Sequence, residues 1–183
     1  MQIVGSVEVG YQPEEMTVVG DRLYVANSGG YRKPNYDNTI SVIDLPTFQL
    51  CDVIVLDGTA NFHRLVHDSK GSRGNYYGDL NSDFFVVDPR SKTIVKDLKI
   101  PVSNVWVDDN VAYVISTEWS YVTGENRVTY AKIDMATMEV LDRNFIKDGT
   151  DASIKHPYGI AVNPVTKDIY VTDAKSYVVS GTV

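Results

Sequence analysis

Apolar positions along this chain come in short runs, such as Thr17-Val18-Val19, Leu23-Tyr24-Val25, Ile40-Ser41-Val42-Ile43 and Asp52-Val53-Ile54-Val55. Val, Ile, Tyr and Thr dominate the runs, and Gly, Asn, Asp or Pro separate them. Many runs alternate or are β-branched, and they recur roughly every 8–12 residues, the signature of an all-β sandwich, barrel or propeller. No segment keeps a helical period for about three turns, so the pattern predicts almost no helix.

Internal repetition selects among these architectures. Three runs end on an aspartate followed by a turn: Ser41-Val42-Ile43-Asp44, Phe85-Val86-Val87-Asp88 and Ala131-Lys132-Ile133-Asp134, spaced 44 and 46 residues apart. A second marker is a polar turn followed by apolar-Tyr-Val, at Leu23-Tyr24-Val25, Ala112-Tyr113-Val114 and Ile169-Tyr170-Val171. A third precedes it, at 16–19, 65–67, 105–107 and 160–162. Each unit therefore holds four strands, a to d, in about 45 residues, which is a propeller blade. The spacing predicts blades at 15–57, 64–100, 104–146 and 159–183, with 3–9 an outer strand of a neighbouring blade. In the second unit a full strand b is missing from the pattern; either Asn75-Tyr76-Tyr77 replaces it or that blade has three strands. The last unit stops as strand c should begin. Two arrangements follow: a small closed four-bladed ring, or, favoured by the unprotected edge, part of a seven- or eight-bladed propeller.

These blades resemble the YVTN-type, YncE-like β-propeller repeat family. Tyr170-Val171-Thr172-Asp173 differs from the repeat's Tyr-Val-Thr-Asn only at its last residue, and Tyr24-Val25-Ala26-Asn27 only at its third. Asn38-Thr39-Ile40-Ser41-Val42-Ile43-Asp44 and Gly159-Ile160-Ala161-Val162-Asn163-Pro164 fit it as well. The long loops at 27–38 and 72–82, and His156-Pro157-Tyr158-Gly159, are similar to a bacterial subgroup of exported propellers, often surface lipoproteins. That resemblance implies a periplasmic or cell-surface location. It also implies cobalamin as a possible ligand and an outer-membrane transporter as a possible partner. It is specific for fold and weak for function, because propellers host unrelated activities.

Composition narrows the partners. The 183-residue chain carries a net charge of −7, which gives no general attraction for nucleic acid or anionic lipid. No apolar run approaches the roughly 18 residues of a membrane span. The lone Cys51 excludes an intrachain disulfide and a cysteine-rich zinc site; as the opening of a d strand it reads as a small packed hydrophobe. The surplus is tyrosine, 12 against 5 Phe, a side chain with an apolar body and a polar tip.

Blade topology sorts that surplus. The a–b and c–d connections lie at one end of a blade and read as plain turns. The b–c and d–a connections lie at the other end and are long and aromatic. Tyr31, Tyr36, Tyr76, Tyr77, Trp119, Tyr121 and Tyr177 fall in b–c loops; His63, His156 and Tyr158 fall in d–a loops. Together with Arg64, Arg73 and Lys175, which could hold an anionic group or simply be solvated, these residues form the candidate ligand-binding end. Tyr24, Tyr113 and Tyr170 read as core. Asp44, Asp88 and Asp134 read as turn caps. The side chains of Glu14-Glu15, adjacent on a strand, should point to opposite faces.

Catalysis has little support: there is no Gly-x-Ser-x-Gly elbow and no recognisable triad spacing. No cofactor or metal is called for. The leading reading is a non-catalytic module binding a small molecule, for which the resemblance implies cobalamin, or a cell-envelope protein. The alternatives are a propeller enzyme of lactonase or quinoprotein type and a protein-interaction scaffold.

Overall fold

In the computed structural model, residues 2–32, 35–56, 63–67, 76–80 (backbone only), 83–146, 154–175 and 179–183 are described. They are all-β, with no helix among them. The chain divides into two compact units, Met1–Lys99 and Ile100–Val183.

The first unit holds two four-stranded antiparallel sheets, each in chain order. One comprises β1 (Pro13–Val19), β2 (Arg22–Asn27), β3 (Thr39–Asp44) and β4 (Gln49–Val55). The other comprises β5 (Val66–His67), β6 (Tyr76–Leu80), β7 (Asp83–Asp88) and β8 (Thr93–Pro101), whose last residues open the second unit. Ile40, Val42 and Ile54 of the first sheet, with Leu56 just after it, pack with Phe85 and Val87 of the second and with Leu65 just before it. Phe84, Phe85, Val86 and Val87 are all buried, as a continuous apolar run requires when both faces of a strand are covered.

The second unit repeats the design with β9 (Asn104–Asp108), β10 (Val111–Ser120), β11 (Glu125–Asp134) and β12 (Glu139–Asp142). A two-stranded sheet follows, β13 (Pro157–Val162) and β14 (Ile169–Asp173). Its core joins Tyr113, Ile115 and Tyr130 to Ile160 and Val162. Thr182 bridges to Asp173, in the place where Thr39 pairs with Asn27 in the first sheet.

The c–d turns are built alike. The Asp44 carboxylate accepts from the Thr47 amide at 3.0 Å, Asp88 from Arg90 at 2.9 Å, and Asp134 from Ala136 and Thr137 at 2.8 and 3.0 Å. Each turn closes on a residue with positive φ: Phe48 (53°), Lys92 (56°) and Met138 (59°). These are the Asx caps that the aspartate spacing predicts.

Several expectations change. Residues 3–9 form no strand, and Ile3 and Val4 are 89% and 95% exposed. The second sheet does have a strand b: Tyr76 and Tyr77 lie in β6, paired with Val87 and Val86, not in a loop. Cys51 is exposed rather than packed. It is the extra residue of a β-bulge, since Val42 pairs with Asp52 and Ile43 with Leu50; Leu141 is the corresponding residue of the third sheet. A bulge turns its unpaired residue away from the ladder. Tyr113 is buried and Tyr24 packs on the core, but Tyr170 is half-exposed.

Candidate functional site

The loop end of each unit is organised by the first residues of strand a. In β1 the register jumps from Pro13↔Asn27 to Met16↔Val25, leaving Glu14 and Glu15 together opposite Ala26. This bulge cancels the alternation that would send the two carboxylates to opposite faces. Both reach the segment before β5. Glu14 Oε1 lies 3.6 Å from His63 Nδ1, and Glu15 accepts from Arg64 Nη1 and the Leu65 amide, each at 3.1 Å. Arg64, a candidate for holding an anion, is thus committed to a carboxylate. Tyr31 is fully exposed and Tyr36 half-buried. The Arg32 guanidinium stacks on the Tyr11 ring at 3.8 Å.

The same bulge recurs in β13. The register passes from Pro157↔Asp173 to Ile160↔Val171, so Tyr158 and Gly159 share Thr172. In both sheets a proline opens the strand, where its missing N–H costs no ladder bond. Gly159 donates its amide to Thr172 Oγ1 at 2.8 Å, and Tyr158 stands 65% exposed.

Trp119 comes to this place by an unforeseen route. It belongs to β10 rather than to a loop, because β10 and β11 stay paired as far as Ser120↔Glu125 while the pairing of β10 with β9 ends at Ile115↔Asn104. A two-stranded ribbon therefore projects from the loop end, with Tyr121 and Val122 almost fully exposed at its tip. Thr117 and Trp119 share one face of the ribbon, and Trp119 is paired directly with Asn126. That face meets the segment 155–158. Thr117 Oγ1 donates to the Pro157 carbonyl at 3.2 Å, and Asn126 Nδ2 lies 3.4 Å from the Lys155 carbonyl and 3.2 Å from His156 Nδ1. From β9, Asn104 Nδ2 donates to the Tyr158 carbonyl at 3.1 Å.

Asp173 secures the segment from the other side. Its carboxylate is buried and accepts from the amides of Lys155 (3.2 Å), His156 (2.8 Å) and Lys175 (2.9 Å). Burial alone pushes this carboxyl up, but the three amides and the Lys175 charge together hold it below the usual carboxylate range. A depression of about 400 Å³ beside Tyr158 is lined by Thr172, Asp173, Ala174 and residues 181–183.

Of the sequence candidates, Trp119, His156, Tyr158 and Lys175 are thus gathered in the second unit; Tyr31, Tyr36, His63 and Arg64 belong to the first. Tyr76 and Tyr77 are strand residues, while Arg73 and Tyr177 lie outside the described residues. Thr117 and Asn126 escaped sequence reading. Their only signal was polarity near a strand end, which many solvated positions share.

No family model matches this chain, and no curated protein matches it. Among solved structures, hydrazine synthase from Kuenenia stuttgartiensis superposes with a TM-score of 0.50 at 15% identity, over 94% of this chain and 59% of that one. Dihydro-heme d1 dehydrogenase NirN in complex with DHE gives 0.47 at 14% identity, over 67% of this chain and 25% of that one. The chain spans less than two thirds of either protein. With the four-stranded antiparallel sheets, the hydrazine synthase likeness establishes a β-propeller fold whose sheets are its blades. At such identity the likeness concerns fold alone.

Proposed function

We propose that the chain is a non-catalytic, ligand-binding propeller module whose second unit takes a small molecule with a broad apolar face. The observation that carries this reading is the grouping of Trp119, His156 and Tyr158 around a segment held at both sides. Trp119 and Tyr158 keep more than half their surface exposed although the backbone beneath them is fixed by Asn104, Thr117, Asn126 and Asp173. Exposed aromatics on an immobile base suit stacking at low entropic cost. Asp173, the most deeply buried carboxylate among the described residues, is engaged by three amides, which supports binding over acid–base chemistry.

Within this reading, cobalamin is the ligand to try first, on the family resemblance, and the cell envelope is the setting that goes with it. The test is calorimetric titration with cyanocobalamin. The expected result is saturable binding at micromolar ligand, weakened at least about tenfold by Trp119→Ala or Tyr158→Ala, the loss of roughly 1.4 kcal/mol of stacking. Trp106→Phe should leave it unchanged. No heat of binding overturns the cobalamin reading. Equal binding by both aromatic variants overturns the site.

A further inference from the structure

We infer that the first unit carries a binding site of its own, in which Arg32, stacked on Tyr11, receives a carboxylate while Tyr11 and Tyr31 take the organic body attached to it. The Arg32 guanidinium lies 3.8 Å from the centroid of the Tyr11 ring, so the ring covers one face of its plane. The N–H donors of a guanidinium lie in that plane and point out from its edge. Stacking therefore leaves them open while it restrains a long side chain. Arg22 and Arg64 of the same unit each hold a carboxylate, Asp44 and Glu15. Arg32 has the tyrosine ring instead, and its side chain makes no ion pair or hydrogen bond among the described residues.

The acids at this end are engaged elsewhere. Asp37 accepts from the amides of Tyr11 at 2.7 Å and Thr39 at 3.0 Å. Glu14 accepts from the Ser28 hydroxyl at 3.1 Å, and Glu15 from Arg64 and the Leu65 amide. The stack is also anchored from below. The Tyr11 carbonyl accepts from the Gly29 amide at 2.9 Å, and the Gly29 carbonyl accepts from the Arg32 amide at 3.1 Å. Ring and guanidinium thus hang from one hydrogen-bonded turn, and a group positioned in advance loses less freedom when a ligand arrives. The fork of donors matches the two oxygens of a carboxylate. A phosphate dianion would bring a second negative charge toward an end that already holds Glu14, Glu15 and Asp37. Tyr11 is 62% exposed and Tyr31, in the same turn as Arg32, fully exposed. Their rings give a flat or apolar body a surface to lie on.

Nuclear magnetic resonance of the arginine side-chain N–H groups tests this, with benzoate as the probe. In the free protein the Arg32 Hε signal should lie upfield, shifted by the Tyr11 ring, and return to its ordinary position in Tyr11→Leu. An ordinary position in wild type overturns the stack. Benzoate should move this signal saturably, with a Kd of about 10 mM or tighter, and no saturation by about 100 mM overturns the site. Benzamide, which lacks the charge, should leave the signal in place; an equal response to it is a contrary result. Inorganic phosphate should bind at least about threefold more weakly than benzoate; tighter phosphate binding overturns the carboxylate assignment. Arg32→Lys alters an exposed side chain and keeps the charge, but it should weaken benzoate at least about fivefold, read on the Tyr11 ring signals, because the fork is gone. Unchanged affinity in that variant overturns the role of Arg32. Trp119→Ala should bind benzoate as wild type does, so this site stands or falls apart from the cobalamin reading. A loss in Trp119→Ala would put the benzoate in the second unit and overturn the assignment made here.

Discussion

At the residue scale, the final position of the Tyr-Val-x-Asn/Asp motif is a fastening rather than a ligand contact. Asn27 is fully buried and gives Nδ2 to Thr39 Oγ1 at 2.9 Å and to Ser41 Oγ at 3.0 Å. Asp173, in the matching place, collects three amides. Asp173→Asn should destabilise the fold by about 2–3 kcal/mol, since charged acceptors of buried amides are worth more than neutral ones; urea unfolding at neutral pH measures it. The folded carboxyl sits below the ordinary range, so its contribution is complete above about pH 5. It is lost as pH falls through the folded value, and the gap between wild type and variant should close there. A gap that is constant down to acid unfolding would contradict this role. The motif was visible in the sequence as a repeat marker. Its task was not, because two of the three amides it collects belong to residues 17 and 18 positions earlier and are joined to it only by the fold.

At the element scale, the strands were legible and their irregularities were not. Short β-branched runs separated by Asp, Asn and Gly locate nearly every strand, and the Asp-ended runs locate the c–d turns. Bulges defeated the pattern. Glu14-Glu15, Tyr158-Gly159 and Cys51 sit where one extra residue is absorbed, and alternation assigns each the wrong surroundings. The long ribbon was missed for a related reason: Ser116 to Ser120 reads as a polar loop, yet β11 supplies it with a full ladder. Turn geometry gives a clean test. Gly20 has φ +57° and nothing within 4 Å of the place where a Cβ would stand, so Gly20→Ala isolates backbone strain and should cost about 1 kcal/mol by chemical unfolding. Gly29 has the same handedness, but there an added Cβ would lie 2.2 Å from the Asp37 amide nitrogen. Gly29→Ala should therefore cost clearly more; equal costs would mean that the 28–38 loop relaxes freely.

At the scale of the whole molecule, each unit owns a core made where two sheets face each other. The repeat length predicts a division among blades but does not say which residues fill each core. Phe85 is 1% exposed and sits in the first unit's core; Phe85→Ala should cost about 3–5 kcal/mol through lost burial and the cavity left behind. Thermal unfolding reads this, and a shift equivalent to less than about 1 kcal/mol would show that the neighbouring sheets collapse into the gap.

The paired bulges at Glu14-Glu15 and Tyr158-Gly159 carry one more consequence. Two residues facing one are not both held in the ladder, so the side chain at position 158 can change while β13 and β14 keep their register. In the first sheet that freedom is occupied by carboxylates gripping the adjoining segment; in the two-stranded sheet it is occupied by an outward tyrosine. The scaffold thus offers an interchangeable socket at the start of strand a. What is plugged into it can be retuned, from clasp to contact surface, with little disturbance to the sheet that carries it.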